Sequence, residues 1–197
     1  AGAPTPATLA LLGIGLAGRR PNLREGVTLV SAGAVMFAVF TLFGRFQGGE
    51  RIAVKLIEPL PGLPILFEIE ALGMLFALVA GILWLVTSVY AIGYMRGHNE
   101  QHQTRFYVMF AVSMGSTLAI AFAGNLFTLF LFYEALTLST YPLVSHKGDA
   151  DTVRSARIYL GVLLATSIGL FLPAIIWTYL AAGGGAFTAG GILTGKV

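Results

Sequence analysis

Long apolar runs set the pattern of this chain, and charged residues fall between them. No Asp, Glu, Lys or Arg occurs from Gly26 to Gly44, from Ala71 to Met95, from Phe106 to Tyr133 or from Ile158 to Gly195. A bilayer core of about 30 Å needs about 20 apolar residues as helix, and each run is long enough. The residues before Arg19 read as a further apolar segment. The stretch from Phe106 to Val144 is too long for one crossing, and its Gly124-Asn125 pair reads as a tight turn. Six helices follow, at about 5–17, 26–45, 70–94, 106–123, 125–144 and 156–181. Barrel strands would be about 10 residues long and alternate in polarity; these runs are longer and do not alternate.

Small residues recur at four-residue spacing. Gly73, Ala77 and Gly81 form one stripe, Ala111, Gly115, Ala119 and Ala123 a second, and Gly161, Ala165 and Gly169 a third. Such stripes let helix backbones approach closely in lipid. Pro173 falls inside the sixth span and predicts a kink, because it removes a backbone hydrogen bond. The segment around Pro59, Pro61 and Pro64 reads as repeated turns over one surface, and the glycine-rich stretch 183–191 as a loop.

Composition agrees with the spans: 56% of the 197 residues are hydrophobic and 11% charged. Mean hydropathy is +0.82. Soluble domains carry about 25% charged residues, so an ordinary soluble enzyme is excluded. Disorder is excluded too, since it needs low hydrophobicity and high net charge. The absence of cysteine removes disulfides, thiolate metal sites and cysteine nucleophiles. The net charge of +3 is scattered among apolar runs and points to no nucleic-acid partner. The expected class is an all-α, polytopic transmembrane bundle of about six spans.

Loop charge orients it. The loops at 18–25, 95–105 and 145–157 share one side and hold eight of the basic residues; the other side holds four. The first set is therefore expected in the cytoplasm, with the N-terminus outside. No basic region precedes the first apolar stretch, so a signal peptide is not expected.

Glu134 is the most informative residue. It lies near the middle of the fifth span, where a charge costs roughly 2.5–3.5 kcal/mol on insertion scales. Tyr133, Thr137, Thr140 and Tyr141 share its side of the helical wheel, while Leu129, Leu136 and Leu143 fall elsewhere. Low dielectric raises a carboxyl pKa and a nearby cation lowers it, so such a group can take and release protons. The competing reading is a structural carboxylate bonded to a neighbouring hydroxyl. His146 and Lys147 follow the span. They are either proton-uptake residues, since His titrates near neutral pH, or anchors of the helix end. His98 and His102 flank Glu100 at helical spacing, but no third ligand is in view, and neither a metal nor a cofactor is expected. Thr166 and Ser167 read as bonds across to the fifth span or as plain packing groups. Trp84, Tyr90, Tyr94 and Trp177 read as packing or interface anchors.

Thr104-Arg-Phe-Tyr-Val-Met-Phe110, and then Gly124-Asn-Leu-Phe-Thr-Leu-Phe-Leu-Phe-Tyr-Glu134-Ala-Leu-Thr-Leu-Ser-Thr-Tyr-Pro-Leu-Val144, resemble the antiporter-like membrane subunits. That family is shared by Mrp sodium/proton antiporters, respiratory complex I and membrane-bound hydrogenases. The run Leu138 to Gly148, with Tyr159-Leu-Gly161 and Thr166-Ser-Ile-Gly169, is most similar to the D-type Mrp subunit. Phe67-Glu-Ile-Glu70-Ala-Leu-Gly-Met74 and Ile92-Gly-Tyr-Met95 also fit the group. The resemblance covers essentially the whole chain. It implies a fourteen-helix subunit with inverted five-helix repeats, of which this chain is the N-terminal portion. Residues 1–104 would be the first three helices and 105–197 the start of the first repeat. Glu134 matches the family's fifth-helix glutamate, which pairs with a seventh-helix lysine and takes part in proton movement. That lysine is not in this sequence, and Lys196 does not match it. With no initiator Met and no polar tail, the chain is expected to be a piece of a longer one, truncation being favoured over a split subunit.

The resemblance thus implies a proton-translocating, non-enzymatic subunit of a monovalent cation (Na+)/H+ antiporter in a bacterial inner membrane. Its partners would be the other subunits, the lipid bilayer, protons and sodium. The alternatives are a membrane-arm subunit of a redox-driven proton pump and an energy-coupling subunit of a bicarbonate-uptake complex.

Overall fold

The computed structural model describes residues 21–195, apart from 60 and 99. Five helical crossings account for most of them. They are α1 (Pro21–Gln47), α2 (Ala71–Gly97), α3 (Gln103–Ala121), α4 (Leu126–Val144) and a fifth made of α5 (Ala150–Thr166), a π turn (Ser167–Phe171) and α6 (Leu172–Ala182). The span expected at 5–17 lies outside the described residues. The other five stand where the apolar runs place them, with boundaries moved by a few residues. The larger corrections are at two starts. α1 begins at Pro21 rather than 26, which puts Arg24 and Glu25 on the helix; α5 begins at Ala150 rather than 156, capped by Asp149, whose carboxylate accepts from the Thr152 N–H.

The chain runs up and down, each helix packing on its successor. The core lies between α1, α2 and α3: Ala32, Val35, Val39, Met74, Ala77, Trp84, Ala91, Met95, Tyr107 and Ala111 form one buried cluster. The first small-residue stripe sits where these helices approach most closely. A Cβ on Gly73 would fall 2.1 Å from the Ala121 carbonyl oxygen, and one on Gly81 would fall 3.9 Å from the Met36 Cα. The third stripe behaves otherwise. Gly161, Ala165 and Gly169 are all exposed, so among the described residues nothing packs on them.

The sixth predicted span breaks as a π turn rather than a simple kink. Pro173 stands in the first turn of α6. The wide turn before it absorbs the hydrogen bond that its missing N–H cannot make.

The two loops expected to be irregular have structure. β1 (Ala53–Lys55) and β2 (Leu66–Glu68) form an antiparallel hairpin with Val54 opposite Phe67. The other edge of β2 takes up the α3–α4 connection: Glu68 N–H donates to the Phe122 carbonyl at 2.8 Å, and Gly124 N–H to the Leu66 carbonyl at 2.9 Å. The 183–191 segment closes the opposite edge, Leu126 N–H donating to the Gly185 carbonyl and Phe187 N–H to the Gly124 carbonyl. Residues 122–126 are thereby held between two extended segments. Gly124 is required there, since a Cβ would meet the Leu66 side chain at 2.9 Å. Tyr179 ties α6 to the hairpin through the Gly62 carbonyl at 3.4 Å. All three loops of this end therefore meet, as the alternation of spans requires.

Candidate functional site

The conformation of α4 is fixed at its start. Asn125 is the N-cap: its side-chain oxygen accepts from the Thr128 N–H at 2.7 Å, and its amide nitrogen donates to the Pro64 carbonyl. The fully buried Thr128 hydroxyl accepts from Leu66 N–H at 2.9 Å. One turn of α4 thus carries both the helix cap and the hairpin's attachment. The middle of α4 is pinned to α3 by a buried Ser113–Ser139 hydroxyl pair at 2.8 Å.

Glu134 lies eight residues into α4, about 12 Å along it at 1.5 Å per residue. The side chain is half-buried. Its Oε1 is buried and has no hydrogen-bond partner. On a helix surface the neighbours of a residue lie three and four positions away. Leu131 and Leu138 are 40% and 54% exposed, while Thr137 is 4% exposed. Glu134 therefore stands on the border between a buried edge and an open one.

The buried edge faces the π turn. The Phe130 and Tyr133 rings each contact Phe171 at 5.9 Å between centroids. Tyr133 also lines an open-sided cavity of about 510 Å³ with Leu129, Thr166, Ser167, Leu170 and Phe171. Thr166 and Ser167 bond carbonyls of their own helix and not α4, which corrects one of the two sequence readings. Farther along α4, Thr140 donates to the Thr137 carbonyl and Ser145 to the Tyr141 carbonyl. Pro142 lies within the helix. It gives no N–H to the Leu138 carbonyl, so a backbone acceptor is left one turn from Glu134.

At the other end of α4, Lys147 is exposed and His146 is partly covered. The His146 ring packs edge-on against Phe106 at 5.5 Å, and both ring nitrogens are buried without partners. Burial, and then the Arg105 charge, pull its pKa below the usual imidazole value; Glu100 opposes and His102 adds to the lowering. The guanidinium of Arg105 donates to the His146 carbonyl at 3.3 Å. The structure thus places Tyr133, Glu134, Thr137 and Tyr141 along one helix, and His146 and Lys147 just past its end. Among the described residues there is no cluster of three His, Asp or Glu fit for a metal. His98 instead stacks on Tyr94.

Sequence reasoning missed a second polar centre at this end of the bundle. Glu25 is 4% exposed and pairs with Arg96 through both carboxylate oxygens. Arg24, 5% exposed, donates to Gln103 at 2.5 Å and Thr104 at 3.2 Å, and lies over the Tyr107 ring. The signal was the Arg24-Glu25 dipeptide beside an apolar run, which loop-charge counting treats as loop.

Comparison with known proteins agrees with this architecture. Residues 123–191 match the family described as NADH:quinone oxidoreductase/Mrp antiporter, TM. NADH-quinone oxidoreductase subunit N of Campylobacter jejuni is 28% identical over 99 residues, which is 50% of this chain and 21% of that protein. Na(+)/H(+) antiporter subunit A1 of Staphylococcus aureus is 26% identical over 141 residues, 70% of this chain and 17% of that protein. The chain therefore spans about a fifth of the length of these curated relatives. The Mrp complex from Dietzia sp. DQ12-45-1b contains a chain that superposes with a TM-score of 0.71 at 19% identity, covering 93% of this chain and 36% of that one. At that identity the likeness is one of fold. The class defined is a polytopic, helical membrane protein of antiporter-like fold. More particularly, the chain is similar to the antiporter-like subunits that Mrp complexes and NADH-quinone oxidoreductases contain.

Proposed function

We propose that this chain is part of a proton-translocating, D-type subunit of a multisubunit monovalent cation/proton antiporter, with Glu134 as the protonatable relay. One observation carries the reading: a mid-span carboxylate with a buried oxygen that no described residue satisfies. An ionisable group at that depth faces a hydrated interior or a partner charge. The open edge beside Leu131 and Leu138 is where that partner, a lysine of a further helix, would stand. Thr137, Tyr133 and Tyr141 border the path, and the Leu138 carbonyl adds an acceptor to it. His146 and Lys147 mark the entrance of that path at the cytoplasmic end. The cation is sodium, the membrane a bacterial inner membrane, and the N-terminus lies outside. The subunit itself performs no chemistry and works with the other subunits of its complex.

The test is cation-driven proton movement in inverted vesicles that carry the full-length subunit in its complex. Glu134→Gln keeps the shape and removes the proton. Transport should fall to background with assembly unchanged; retained transport leaves Glu134 structural. The similarity to an NADH-quinone oxidoreductase subunit supports a second reading, a redox-driven pump. It predicts proton movement only when an electron donor and acceptor are supplied.

A further inference from the structure

Three helices that do not carry Glu134 bring fully buried polar groups to one depth. Antiparallel helices rise equally, about 1.5 Å per residue, so two close contacts fix their register. Gly73 meets Ala121; fifteen residues on is Ser88, and fifteen back is Phe106, beside Tyr107. Gly81 meets Met36; seven residues on is again Ser88, and seven back is Leu29, beside Thr28. Thr28, Ser88 and Tyr107 therefore share a level between α1, α2 and α3, and each is at most 2% exposed.

Their hydrogen bonding differs. Thr28 donates to the Arg24 carbonyl in its own helix, as Thr41, Thr166 and Thr178 do to theirs. Ser88 makes no such bond. Its hydroxyl, the Tyr107 hydroxyl, the Trp84 indole N–H and Arg24 Nε are all buried without partners. Trp84 lies one turn from Ser88 on the same face, and Arg24 covers the Tyr107 ring with its Cζ 5.3 Å from the centroid. The orphaned groups thus form a file from the Arg24–Glu25–Arg96 cluster inward to Trp84. Leaving a buried polar group unsatisfied costs about 1–3 kcal/mol, and a buried water normally satisfies about three such groups. This file offers two hydroxyls that can both donate and accept, with an N–H donor at each end. A cation does not suit it: Arg24 stands at the mouth, and Glu25 is already paired with Arg96.

We propose that α1, α2 and α3 enclose a file of internal water, held by Arg24, Tyr107, Ser88 and Trp84 and filled from the Arg96 end. Radiolytic hydroxyl labelling reads it directly, because bound water generates the radical beside the side chains it touches. The sample is the full-length subunit in its complex, in a lipid bilayer. Met74 is the internal control: it is on the same helix, 1% exposed, intrinsically more reactive, and outside the file. Trp84 and Tyr107 should label several-fold faster than Met74. Ser88→Ala should lower both rates at least twofold while the exposed Tyr90 is unchanged. Trp84 and Tyr107 as silent as Met74 would show a dry interface and overturn the proposal. Equal labelling of all three would also overturn it, as would rates unmoved by Ser88→Ala.

Discussion

At the scale of single residues, Glu134 within α4 and His146 just past its end differ in what surrounds them. Glu134 has open space beside it; His146 is wedged against Phe106 near a fixed positive charge. A histidine whose folded pKa is lowered binds fewer protons than the unfolded chain below about pH 6.5. Its contribution to stability is whole above that value and is lost as pH falls toward the lowered folded pKa. The thermal midpoint of the assembled complex should therefore decline on acidification from about pH 6.5. His146→Gln should flatten that decline, and an unchanged slope would remove His146 from the balance. The mid-span position of Glu134 was legible in the sequence because a lone acid in an apolar run is rare. The Arg24–Glu25–Arg96 cluster was not, because its partners lie some 70 to 80 positions apart and loop residues look alike until a helix is drawn through them.

At the scale of elements, apolar run length predicted the crossings, and a Gly-Asn pair predicted the break between α3 and α4. Both signals are local. The hairpin and its clamp on residues 122–126 depend on main-chain pairing between distant segments, which leaves no mark in hydropathy. The small-residue stripes were partly legible: the first sits in helix contacts, and the third is bare. The contact at Gly73 is the tightest, and the opposing atom is backbone rather than a side chain that can turn aside. Gly73→Ala should force α2 from α3 and cost about 1–3 kcal/mol, the usual range for overpacking. Chemical denaturation of the reconstituted subunit checks it; Gly169→Ala, on the open stripe, should cost much less.

For the whole molecule, the loops segregate cleanly. One end gathers the hairpin, the α3–α4 turn and the 183–191 segment; the other gathers Arg24, Glu25, Arg96, Arg105 and His146. On the orientation proposed from charge bias, the second end faces the cytoplasm. A cysteine at Gly148, which is exposed, should react with a membrane-impermeant reagent only from that side. Labelling from outside would invert the topology and would place the His146 end at the outer surface.

The clamp on residues 122–126 also constrains the order of events during biosynthesis. Its first jaw, β2, emerges from the ribosome before the turn it grips, but the second, at 185–187, follows about sixty residues later. At roughly 5–20 residues per second, the α3–α4 turn waits several seconds half-grasped. Insertion of the last described crossing is then the event that locks this face, so a chain stalled before it would be threaded through the membrane yet unlatched.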